Sequence, residues 1–147
     1  MRSLGKLVVI GAVVCTGLPV NAQVCTPLRV VEGTGTQVQK KVSVPGTPTS
    51  RSNWNTDFAV PSGRSFSRYV ATIRPANTGQ YDVQMFLKYP NNTADKVFDQ
   101  RASYRERNSY TIPGSPRLNA NPYQINVFVG GVGAVGNTYT LSVAGCN

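Results

Sequence analysis

Apolar positions in this chain recur at every second residue. In "YDVQMFLKY", Tyr81, Val83, Met85, Leu87 and Tyr89 alternate with Asp82, Gln84 and Lys88, and Phe86 alone breaks the rule. "YQINVFV" repeats the pattern with Tyr123, Ile125, Val127 and Val129, and "YTLSV" with Tyr139, Leu141 and Val143. Successive side chains of a strand point to opposite faces, so each segment predicts a strand with one core face and one wetter face. "SRYVATIR" aligns Tyr69, Ala71 and Ile73, while "LRVVE", "WNTDFAV", "DKVFDQ" and "NSYTI" are shorter candidates. "TQVQKKVSV" sets Val38, Val42 and Val44 on one face with Lys40 intruding. An inward lysine is a device that blunts a sheet edge, so this segment is predicted to be an edge strand.

Turn residues separate these runs: "PGTPTSRSN", "PSG", "PANTG", "PNNTAD", the longer "PGSPRLNANP" and the glycine-rich "GGVGAVGN". About nine short strands at roughly ten-residue spacing predict an all-β, antiparallel β-sandwich. No internal repeat or second domain is visible over residues 23–147.

The first 22 residues read differently. Arg2 and Lys6 precede an uncharged apolar run from Leu7 to Leu18, then Pro19 and the small-residue stretch Val20-Asn21-Ala22. That is the anatomy of a cleaved signal peptide, residues 1–22. The run is about a dozen residues, short of the roughly 20 that span a bilayer. A secreted protein is expected (periplasmic, extracellular or cell-surface), with no transmembrane segment after cleavage. Cys15 leaves with the leader, and Cys25 and Cys146 enter an oxidising compartment. One intramolecular disulfide, Cys25–Cys146, is expected to tie the start of the chain to its end, the alternatives being free thiols or an intermolecular bond.

Charge narrows the partners. Fifteen Lys and Arg face six acids, a formal charge of +9 that falls by two when Arg2 and Lys6 leave. With no histidine, that charge barely changes between pH 5 and 8. A basic exported domain attracts anionic polymers: polysaccharide, lipid phosphate, nucleic acid. The same charge also serves solubility alone.

"TDFAVPSGRSFSRYVATI", "GQYDVQMFLKYP", "SYTIPGS" and "GNTYTLSVAG" are similar in rhythm to bacterial pre-peptidase C-terminal domains, over about residues 56–145. Asp82 and the closing Tyr139-x-Leu141-x-Val143 strand carry the resemblance. It implies an exported, jelly-roll-like β-sandwich of the kind appended to secreted proteases, and hence an accessory role beside such an enzyme. The usual acidic, metal-friendly character of those domains is missing here.

Catalytic chemistry is sparsely supplied. Without histidine, Ser–His–Asp and Cys–His machinery is absent. The acids Glu32, Asp57, Asp82, Asp95, Asp99 and Glu106 form no evident pair for glycoside hydrolysis. Asp95 and Asp99 lack a calcium-loop pattern. No enzyme activity, metal or cofactor is expected. "DQRASYRERNSY" interleaves Arg101, Arg105 and Arg107 with Tyr104 and Tyr110. Arginine grips sulfate, phosphate or carboxylate by paired hydrogen bonds, and tyrosine offers a flat face for a sugar. If the segment is extended, parity places the arginines in water on one face and the tyrosines in the core. Trp54, beside a polar loop, is either a core anchor or a sugar-stacking ring. Trp54, Arg101, Tyr104, Arg105, Arg107 and Tyr110 are thus the candidate ligand contacts. The expected function is a non-enzymatic binding or adhesion module for an anionic polysaccharide or similar surface polymer. A matrix or filament subunit self-associating through edge strands is the alternative from another class, and nucleic acid stays open as a partner.

Overall fold

Ten strands build the fold: β1 (Cys25–Pro27), β2 (Arg29–Val30), β3 (Gln37–Lys41), β4 (Asn55–Ala59), β5 (Arg68–Pro75), β6 (Gly79–Lys88), β7 (Ala94–Tyr104), β8 (Tyr110–Gly114), β9 (Gln124–Gly130) and β10 (Thr138–Cys146). The structure, a computed structural model, describes Gly17 and residues 23–147; the rest of the predicted leader, residues 1–22, lies outside the described residues. All pairings are antiparallel. In the first sheet β1 and β3 share one side of β10, followed by β5 and β8; the second runs β2-β4-β9-β6-β7. The eight main strands, β3-β10-β5-β8 over β4-β9-β6-β7, follow the jelly-roll order of a β-sandwich.

The alternation read from sequence builds the core. Tyr81, Val83, Met85 and Leu87 of β6 are fully buried, as are Tyr69, Ala71 and Ile73 of β5, Ile125, Val127 and Val129 of β9, and Leu141 of β10. β3 is an edge strand, as Lys40 suggested. Its ammonium donates to the carbonyls of Asn53 and Asn55 at 3.1 and 2.8 Å, lacing the sandwich across its open edge. Burial pulls the Lys40 pKa down.

Several details depart from the sequence expectation. "LRVVE" is not one strand, because the chain changes sheets at Leu28. The Leu28 N–H donates to Val143 O of the first sheet at 2.8 Å, and the Val31 N–H to Asp57 O of the second at 2.9 Å. β3 stops at Lys41, so Val44, expected inward, is 65% exposed. Tyr123 precedes β9 and is 50% exposed. β7 runs on to Tyr104 and carries a register shift opposite Met85 and Phe86. That irregularity and the charged side chains of β7 discourage pairing with a second copy along this edge, as Pro113 does in β8.

The Cys25–Cys146 disulfide is present, with Cα atoms 4.1 Å apart and the two residues in register between β1 and β10. Backbone bonds between Val24 and Asn147, at 3.0 and 2.9 Å, extend the pairing beyond it.

The buried tyrosines set the response to pH. The hydroxyls of Tyr69 and Tyr139 have no hydrogen-bond partner among the described residues. Burial pushes the Tyr69 pKa up to about 12 and raises that of Tyr139 as well. An unfolded tyrosine ionises near 10. The folded state therefore favours the neutral phenol, and this contribution is complete below about pH 10 and is lost as pH climbs toward the folded value. Thermal melts are expected to be flat from about pH 5 to 8, where no histidine titrates, and to fall above about pH 10. A melting temperature unchanged at about pH 11 would contradict this.

Candidate functional site

The parity that turns Tyr81, Val83, Met85 and Leu87 inward turns Asp82, Gln84, Phe86 and Lys88 of β6 outward. Register places partners beside each. Asp82 lies opposite Arg101 of β7, Gln84 opposite Asp99 and Phe128, Phe86 opposite Lys96 and Asn126, and Lys88 opposite Gln124. On the far side of β9, Asp57 of β4 pairs with Asn126 and Asn55 with Phe128. Cross-strand neighbours on one face are close enough to interact directly.

They do interact, in three separate hydrogen-bonded groups. Asp57 Oδ1 accepts from Lys88 Nζ at 3.1 Å and from Asn126 Nδ2 at 2.9 Å, and Lys88 also donates to Gln124 Oε1 at 3.2 Å. Asp99 accepts from Lys96 Nζ at 2.6 Å and from Gln84 Nε2 at 3.2 Å. The hydrogen bond from Lys96 holds the Asp99 carboxyl below the usual carboxylate range. Arg101 grips Asp82 with both Nε, at 2.6 Å, and Nη2, at 3.3 Å. Three carboxylates thus meet three cations, and this part of the face is electrically balanced.

Three aromatic rings interrupt these polar groups. Phe86 and Phe128 project from the solvent side of β6 and β9 and are half-buried. Trp54, just before β4, meets Phe128 edge-on, with centroids 5.5 Å apart and planes at 85°. Its indole N–H donates to Ser43 O at 2.9 Å. One face of the indole rests on Gly130, where a Cβ would lie 2.3 Å from Trp54 Cδ2. Beside Phe128 an open depression of 430 Å³ is lined by Asp82, Gln84, Asp99, Gln100 and Arg101.

Of the residues singled out from sequence, Trp54 and Arg101 belong to this face. The others do not. Residues 99–110 are not one extended segment, because β7 ends at Tyr104 and the chain turns into β8 at Tyr110. Tyr104 is buried and stacked between Tyr81 and Tyr110, at centroid distances of 5.8 and 4.0 Å. The Tyr110 hydroxyl accepts from the Arg105 N–H at 2.7 Å. Arg107 adopts φ 65° and its N–H donates to Pro75 O at 2.9 Å. The tyrosines therefore line the interior, as parity suggested, but the turn separates Arg105 and Arg107 from Arg101. Sequence reasoning missed Phe86, Phe128, Gln84, Asn126, Asp57 and Lys88. Its one available signal was Phe86 and Phe128 on the wet side of otherwise regular strands.

Among the described residues no group of three or more His, Cys, Asp or Glu is placed to hold a metal ion. Asp95 is engaged by Arg117 at 2.8 and 2.7 Å, and Asp99 by Lys96.

No protein-family model matches the chain, and no curated protein does. Among solved structures it is similar to a mutant of a family 29 carbohydrate binding module, made to probe ligand recognition, at 7% identity over 85% of this chain and 92% of that one, TM-score 0.40. It is similar to a family 16 carbohydrate binding module at 11% identity over 82% and 85%, TM-score 0.35. It is also similar to a structure described as CBM4, at 12% identity over 76% and 94%, TM-score 0.33.

Proposed function

We propose that the protein is a non-catalytic polysaccharide-binding module and that the outer face of the second sheet receives an uncharged glycan chain. The observation that carries this is the placement of Phe86 and Phe128 on the solvent side of one sheet among paired polar groups, with the half-buried Trp54 edge-on against Phe128. A pyranose ring has an apolar C–H face and a hydroxyl rim. Aromatic rings stack on the first, and amides, carboxylates and ammonium groups hydrogen-bond the second. The pairing already fixes these polar side chains, so little freedom remains to be lost on binding. Balanced charge suits a neutral ligand better than an anionic one. Each carboxylate on this part of the face is engaged by a cation, and Asp99 is held ionised. That is the opposite of a general acid, which needs a raised pKa.

Affinity electrophoresis against soluble xylan and hydroxyethylcellulose is the test. The wild-type protein is expected to be retarded by at least one of them, with little dependence on salt. Phe128→Ala and Trp54→Ala are each expected to weaken that binding about tenfold or more, as loss of a central aromatic contact does. Unaltered retardation of both variants would overturn the assignment.

A further inference from the structure

We infer that the outer face of the first sheet is a second binding surface, built for linear polysaccharides that carry carboxylate or sulfate groups. The charge of the molecule is unevenly placed. Asp57, Asp82 and Asp99 face outward from the second sheet, each in an ion pair, and Asp95 pairs with Arg117. By contrast β3, β5, β8 and β10, which make most of the first sheet, contain no Asp or Glu. Their outward positions carry Lys41, Arg68 and Arg74, all exposed and, among the described residues, outside every ion pair.

The spacing suits a chain rather than a compact anion. Arg68 and Arg74 are six residues apart on β5, about 20 Å along an extended strand. Lys41 and Arg74 flank β10, opposite Thr138 and Thr140. Between the two ends run hydroxyls and amides: Thr72, Thr140, Ser142, Gln37 and Gln39. A trough of 480 Å³ lies over the Arg68 end of this strip, where Gln37, Thr72 and Ser142 meet the apolar Pro27, Val70 and Ala144. Such groups recognise sugar hydroxyls, and arginine binds carboxylate or sulfate through two parallel hydrogen bonds. Among the described residues these strands turn no aromatic ring outward, since Tyr69, Tyr139 and Tyr110 fall on the inner side. It therefore lacks the stacking platform that single-stranded nucleic acid uses. This surface does not rest on the second-sheet reading, because the two faces are on opposite sides of the sandwich and are mutated separately.

The test measures binding of the protein to immobilised heparin and polygalacturonate at two salt concentrations. The variant Lys41→Gln/Arg68→Gln/Arg74→Gln changes only exposed side chains, and its fold is checked by circular dichroism. Affinity for at least one polyanion is expected to fall tenfold or more in the triple variant. The dependence of log affinity on log salt should flatten by about two, at roughly 0.7 per lost contact. Phe128→Ala should bind both probes as the wild type does. Wild-type affinity in the triple variant would overturn the proposal, and so would equal losses in Phe128→Ala, which would mean one shared site. Equal or tighter binding of duplex DNA, or of phosphatidylglycerol vesicles, with the same dependence on the three cations would overturn the glycan assignment.

Discussion

Replacing Cys25 and Cys146 together by alanine is expected to lower the unfolding free energy by about 4–5 kcal/mol in the chain-entropy account. The bond spans 121 residues of sequence, so without it the unfolded chain regains nearly all its end-to-end freedom. The folded side also depends on it. β1 has three residues and pairs only with Thr26, Pro27 and Cys25 set against Gly145, Ala144 and Cys146. A ladder that short does not hold a strand by itself. Leu28, which follows, is fully buried, and its N–H bond to Val143 O fixes the point where the chain changes sheets. Release of β1 would expose that side chain and leave the end of β10 paired on one side only, to β5. Urea unfolding of the oxidised protein and of the double variant measures the difference. A loss below about 1 kcal/mol would show that Leu28 and the short ladder hold the chain terminus without the staple.

The same β1–β10 pairing shows which parts of the fold are legible in the sequence. The disulfide followed from counting the cysteines that lie outside the predicted leader. The core followed from parity, because a strand with one buried face writes its burial as alternation: β5, β6, β9 and β10 all do. Where the chain leaves strand geometry, parity carries no information. The sheet change at Leu28 is set by partners more than 25 residues away, Asp57 and Val143. The turn at residues 105–109 is held by Arg107 at φ 65°, a left-handed conformation that arginine does not advertise. Reading residues 99–110 as continuous therefore aligned arginines that the turn separates.

The candidate face was illegible for a further reason. Its polar residues look individually like any wet side of a strand, and their meaning lies in register. Asp57 and Asn126 are 69 positions apart, yet they share a hydrogen bond at 2.9 Å because β4 and β9 are neighbours. Net charge is a sum and conceals the same information. A charge of +9 suggested attraction to anionic polymers without saying where on the molecule it would act. Among the described residues the structure instead sets a balanced face with aromatic rings against a face whose strands carry no acid and whose cations stand outside every ion pair. Polyanion binding and neutral-glycan binding should accordingly respond to salt differently and to different variants.

Gly130→Val is expected to damage fold and binding face at once. The constraint at Gly130 is space: its Cβ position is occupied by the indole of Trp54, with Cδ2, Cγ and Cε3 at 2.3, 2.6 and 2.7 Å. Real Cβ contacts do not come so close, so the ring must move. It is not a flexible tip that swings away freely, because the indole N–H is bonded to Ser43 O and the ring edge meets Phe128. The backbone of Trp54 is fixed too, since its carbonyl accepts the Val129 N–H at 2.8 Å. Displacing the indole therefore breaks a hydrogen bond and an aromatic contact, and overpacking of this kind costs about 1–3 kcal/mol. Trp54 is the sole tryptophan, so its fluorescence reports this one site. In Gly130→Val the emission should shift to the red as the ring enters water, and xylan or hydroxyethylcellulose binding should fall as far as in Trp54→Ala. Heparin binding should stay at the wild-type level, because no cation of the first sheet is disturbed. Unshifted emission together with intact neutral-glycan binding would mean that the indole does not depend on the bare backbone at Gly130, and Trp54 would lose its place in the proposed contact surface.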